Sequence, residues 1–72
     1  MKPYEEAVDI WLSFYELLPD GVYSDEGAKS EAKTYATICV DRMLAFISGF
    51  PEDIMLHIKP YWQSVKTEIE KL

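Results

Sequence analysis

The chain has 72 residues, 49% of them apolar and ten aromatic (two Trp, five Tyr, three Phe), with a net charge of −6. That length allows one domain, and the apolar fraction is too high for a disordered tail. The acids Glu5, Glu6, Asp9, Glu16, Asp20, Asp25, Glu26 and Glu31 face only Lys2 and Lys29 in the first 31 residues, whereas acids and bases balance in the rest. Direct nucleic-acid binding, which needs clustered Lys and Arg, is therefore not expected.

Four prolines punctuate the predicted helices. The first helix is expected from about residue 3 to residue 18, opened by Pro3 and closed by Pro19. Its apolar residues Ala7, Val8, Ile10, Trp11, Leu12, Phe14, Tyr15, Leu17 and Leu18 fill more than one stripe, so the pattern predicts cover on two sides. Pro19-Asp20-Gly21 reads as a turn. A second helix is predicted over about 25–48, with Ser24 or Asp25 as N-cap and Gly49 as a left-handed C-cap. Its predicted core face is Ala28, Ala32, Tyr35, Ala36, Cys39, Met43, Phe46 and Ile47, with the small residues permitting close approach of another helix. Pro51 is expected at the first position of a third helix over 52–58. Pro60 then kinks or ends it, and a last helix over 60–71 is expected to dock through Trp62, Val65, Ile69 and Leu72, with Trp62 as a buried anchor.

These elements predict a single all-α domain, a three- or four-helix bundle. A domain this small hides only about 60% of the surface of its unfolded chain, so the surplus of large apolar side chains predicts self-association as a dimer or higher oligomer. The longest uninterrupted apolar run, Met43 to Ile47, is too short for a membrane span or a signal-peptide core, so no membrane partner is expected and the chain is read as cytoplasmic. Cys39 is the one cysteine and reads as a small buried hydrophobe.

No catalytic, cofactor-binding or metal-binding motif stands out, so the reading is non-enzymatic. Asp53 and His57 share a helix face at i, i+4, but two residues make no zinc site, and a surface ion pair is the simpler expectation. Asp41-Arg42 suits pairing within the helix or between subunits, although a guanidinium also forks onto phosphate. The hydroxyls of Ser13, Thr34, Thr37, Ser64 and Thr67 have no general base at a motif spacing. The interface candidates are Glu5, Glu6, Asp9, Trp11, Tyr15 and Arg42.

Two stretches resemble a group of small, functionally uncharacterised proteins of Bacteroidetes genomes, their phages and mobile elements. Ala32-Lys33-Thr34-Tyr35-Ala36-Thr37-Ile38-Cys39-Val40-Asp41-Arg42-Met43 is similar to the pattern A-K-x-x-A-x-I-x-V-D-x-[IM]. Tyr61-Trp62-Gln63-Ser64-Val65-Lys66-Thr67-Glu68-Ile69-Glu70-Lys71-Leu72 is similar to a terminal W-Q-x-V-K-x-E-I-x-K-L. The resemblance covers about a third of the chain and implies an origin in phage or mobile DNA with a small accessory role.

The functional expectation is a small acidic module that binds an unidentified protein. Two alternatives stay open. One is an oligomeric sponge for a nucleotide or other small ligand, in which Arg42, Lys33 or His57 converge from adjacent chains. The other is an acidic decoy of a DNA-binding protein.

Overall fold

The computed structural model describes residues 2–19 and 21–72. It contains three helices in an up-down-up arrangement, α1 (Pro3–Leu17), α2 (Asp25–Ile47) and α3 (Glu52–Glu70), each packed on the other two. The all-α expectation holds, with three helices and not four.

The helix ends follow from local chemistry. Pro3 opens α1, where its missing N–H has no partner to lose. Leu18 precedes Pro19 and is extended (φ −73°, ψ 137°), the conformation that the proline ring imposes on its predecessor, and α1 stops there. Gly21 then takes φ +78°, a left-handed value suited to glycine. Asp20, the middle of the expected turn, lies outside the described residues. Ser24 caps α2 by accepting a hydrogen bond from the Gly27 N–H at 3.1 Å, and a β-carbon on Gly27 would stand 3.0 Å from that hydroxyl.

At the other end of α2 the expected left-handed Gly49 is not observed. The helix tightens instead: Gly49 donates to the Phe46 carbonyl at 3.1 Å and Phe50 to the Ile47 carbonyl at 2.9 Å, three residues back in each case. Pro51 is the N-cap of α3, one residue earlier than expected. Pro60 neither starts nor ends a helix but sits inside α3. Lacking an N–H, it cannot donate to the Leu56 carbonyl one turn back, a position that ordinarily disfavours helix. The helix continues because the residues on either side of Pro60 share one packing stripe. Ile58, Tyr61, Trp62, Val65 and Ile69 follow at helical spacing, and a break at Pro60 would turn Ile58 and the residues before it out of line with the rest.

That core is small. Ala7 of α1, Ala36 and Val40 of α2, and Val65 and Ile69 of α3 are fully buried, ringed by Ile10, Phe14, Leu44, Tyr61 and Trp62. Ala32 and Ile47 are buried nearer the two ends of α2. Steps of four therefore carry the buried face of α2 along Ala32, Ala36, Val40 and Leu44, and the expected face is rotated. Val40 is its centre, while Tyr35, Cys39 and Phe46 fall on one flank. Cys39 is only half-buried, and Phe46 is 71% exposed. Trp62 is likewise half-buried at the rim, edge-on to Tyr61 with ring centres 5.4 Å apart, and is not the buried anchor expected. α1 packs on both α2 and α3, as its two stripes predict, although Tyr4, Leu12 and Leu17 remain exposed.

The radius of gyration is 13.5 Å and the longest dimension 46 Å, against a radius of about 11 Å for a compact chain of this length. Helix lengths explain the elongation. At 1.5 Å per residue α2 runs about 35 Å and α1 only about 22 Å. The core cluster ends at Leu44 on α2 and begins at Tyr61 on α3, so the α2–α3 hairpin extends beyond the reach of α1.

Candidate functional site

The expected interface residues lie in three places. Glu5 and Asp9, four residues apart on α1, are exposed with Glu16 on its outer face. Glu6 points toward α3, where it is engaged with Tyr61. Burial of that phenol first, then the charge and hydrogen bond of Glu6 and the charge of Glu5, raise its pKa above the ordinary tyrosine value. Trp11 and Tyr15 stack at 5.0 Å between ring centres, and the Trp11 indole donates from Nε1 to the Lys29 carbonyl at 3.2 Å, tying α1 to the first turns of α2. This pair is half-buried and holds the fold together. Arg42 is exposed near the far end of α2 and makes no ion pair with any described residue.

Its neighbour Asp41 turns the other way, toward Lys66 of α3 at 2.7 Å. Asp53 and His57 are both exposed, and the expected ion pair between them does not form. The hydroxyls considered as nucleophiles are all engaged locally. Ser13, Thr34, Thr37, Ser64 and Thr67 each donate to the carbonyl four residues earlier, at 2.8–3.1 Å. Among the described residues no three His, Cys, Asp or Glu side chains gather to hold a metal ion. Lys33 and Arg42 stand nine residues apart on α2, on opposite flanks, so one chain does not bring them together.

What sequence reasoning missed is the hairpin tip, from Arg42 to Pro60. Two contacts fix the faces of the groove that α1 occupies. The Phe14 ring lies 6.0 Å from that of Tyr35, and Glu6 meets Tyr61. Phe46, eleven residues after Tyr35, is on the same flank of α2; Ile54, seven before Tyr61, is on the same flank of α3. The groove thus runs on past the start of α1, where Phe46 and Ile54 stay uncovered by any described residue. Phe46 is 71% and Ile54 46% exposed, and Phe50 packs edge-on to Phe46 at 5.0 Å. Around the helix, Leu56 is 64% exposed beside a shallow depression lined by Met55, Leu56, Lys59, Pro60 and Gln63, at the proline that interrupts the hydrogen-bond ladder. The signal available in the sequence was the four-residue step through Val40, which sends Phe46 off the core face.

No protein-family model, curated protein or solved structure matches the chain. The tip is rich in apolar residues and poor in charge. Residues 43–58 hold only Glu52 and Asp53 as charged side chains, besides His57. No helix of the described residues is long and apolar enough to cross a membrane.

Proposed function

We propose that this protein is a non-enzymatic protein-interaction module that works through the apolar tip of its α2–α3 hairpin. One observation carries the reading. Phe46 and Ile54, large side chains of the kind that ordinarily fill cores, are exposed at the end of the α2–α3 hairpin that α1 does not reach. Contiguous apolar surface of this kind marks contacts with other macromolecules, and aromatic residues such as Phe46 contribute most to them. The acidic outer face of α1 serves solubility and steers encounters. The resemblance of the two motif stretches to proteins of Bacteroidetes phages and mobile elements supports an accessory role, in which the module binds a protein and modifies its behaviour without chemistry of its own.

Photo-crosslinking tests this. A photoreactive residue replacing Phe46 is expected to yield adducts with protein, either a second copy or another chain. The same residue replacing Glu16 on the outer face of α1 is expected to yield none. Equal labelling at both positions, or none at 46, overturns the reading.

A further inference from the structure

We infer that the outer side of α2 is a contact for a second copy of the chain, with the two α2 helices packed antiparallel about a two-fold axis level with Ala36 and Thr37. This goes beyond the tip reading, and neither Phe46 nor Ile54 takes part. Gly27, Glu31, Thr34, Ile38, Arg42 and Ala45 succeed one another in steps of three and four. They therefore form one stripe within about 80° of the helix circumference, opposite the face that buries Ala36, Val40 and Ile47. Thr34, Ile38, Arg42 and Ala45 are exposed, Ile38 to 49%, and Gly27 and Glu31 are half-buried.

Charge complementarity names the second copy as the occupant. Glu31 and Arg42 stand three helical turns apart, about 17 Å along one side of α2. Arg42 makes no ion pair with any described residue, its neighbours one turn away (Ile38, Cys39, Ala45 and Phe46) are all apolar, and Asp41 is turned to Lys66. The Glu31 carboxylate accepts from the Tyr35 hydroxyl and keeps lone pairs for a further donor. A two-fold axis midway between them sets each Glu31 against the Arg42 of the other copy. The same operation sets Thr34 against Ile38 and Gly27 against Ala45, so the stripe matches itself when reversed, as a two-fold contact requires. The Thr34 hydroxyl is already bonded to the Ser30 carbonyl at 3.1 Å and needs no partner at the seam. Gly27 and Ala45 are small and let the helices approach. The outer face of α1, by contrast, presents Glu5, Asp9 and Glu16 with no base among them and repels its own copy. Six residues from each copy fall well below the roughly 20 a side of a standard interface, so the dimer is weak.

Charge swapping tests the inference. Sedimentation equilibrium of the full chain is expected to show a reversible monomer–dimer system. Glu31→Lys alone and Arg42→Glu alone each set like charges against one another at both ends of the seam, and each is expected to weaken dimerisation about tenfold. An equimolar mixture of the two variants restores both pairs, as does the double variant Glu31→Lys with Arg42→Glu. Both are expected to return to within about threefold of the parent. The two positions lie about 17 Å apart in one chain, twice the Debye length of about 8 Å at physiological salt, so the recovery cannot arise within a single copy. Ile38→Glu, at the middle of the seam, is expected to abolish the dimer while far-UV circular dichroism stays that of the parent. Unchanged dimerisation of the single charge variants, or a mixture no better than its components, overturns the two-fold contact. So does a parent that stays monomeric to about 1 mM. A dimer kept in Ile38→Glu and lost in Phe46→Glu overturns it in favour of the tip.

Discussion

Asp41 and Lys66 join α2 to α3 at 2.7 Å between Oδ1 and Nζ, with side chains 49% and 35% exposed, so the pair locks register more than it stabilises. The hydrogen bond to Asp41, then its charge, hold Lys66 above its ordinary pKa; partial burial opposes this, and Glu70 adds to it.

The same direction recurs in two tyrosines, which predicts fragility at alkaline pH. Tyr35 is raised by its hydrogen bond to Glu31, by the charges of Glu31 and Tyr23, and by burial; Tyr61 is raised by burial and by Glu6 and Glu5. A group whose pKa is raised on folding contributes stability that is fully present below its unfolded pKa and is lost as the pH rises through the folded value. For all three groups that window opens above about pH 10. Urea midpoints are expected to be level from pH 7 to 9.5 and to fall above pH 10, and Asp41→Asn should remove the Lys66 part of that fall. A midpoint unchanged to pH 11.5 would show that these contacts persist equally in the unfolded chain.

Pro60→Ala is expected to stabilise the protein. The alanine returns an N–H to the Leu56 carbonyl and removes a residue disfavoured in helix interiors by about 3 kcal/mol, part of which the surrounding packing already offsets. A gain of about 1–3 kcal/mol in chemical denaturation is the expected result. A loss would mean that the proline's distortion of α3 is needed to bring its two halves onto the same groove.

Ala36 and Ala45 separate buried from exposed alanine on one helix. Ala36 is fully buried where the three helices meet, and Ala45 faces solvent. Ala36→Leu is expected to cost about 1–3 kcal/mol through overpacking, and Ala45→Leu to stay within about 0.5 kcal/mol. Equal denaturation midpoints for the two variants would refute the close helix approach at Ala36.

Size and energetic weight part company among the large side chains. Ile69→Ala is expected to cost about 2–5 kcal/mol because the side chain is fully buried. Phe46→Ala should change the stability of the monomer by no more than about 0.5 kcal/mol, despite removing a larger group, because most of that group is in water. Thermal melts at low micromolar concentration measure both. A large loss at Phe46 under those conditions would show that the phenylalanine supports the fold and would withdraw it from the contact surface.

The sequence by itself determined what acts over one or two turns. Pro3, Pro19 and Ser24 set helix ends through missing donors, restricted dihedrals and a capping hydroxyl; Val65 and Ile69 were legible as core from their spacing; the acidic outer face of α1 was legible from composition. Tertiary structure decided the rest. Whether Pro60 breaks a helix depends on the stripe from Ile58 through Tyr61, Val65 and Ile69 that spans it, which a local penalty for proline cannot reveal. Whether Phe46 or Val40 faces inward depends on which side of α2 the other helices approach, since steps of three and of four both describe a helix face. The exposed tip follows from a difference of eight residues between α2 and α1, a length visible in the sequence. Only the packing of Ala7, Ile10 and Phe14 against the lower part of the hairpin determined which end of α2 is left uncovered.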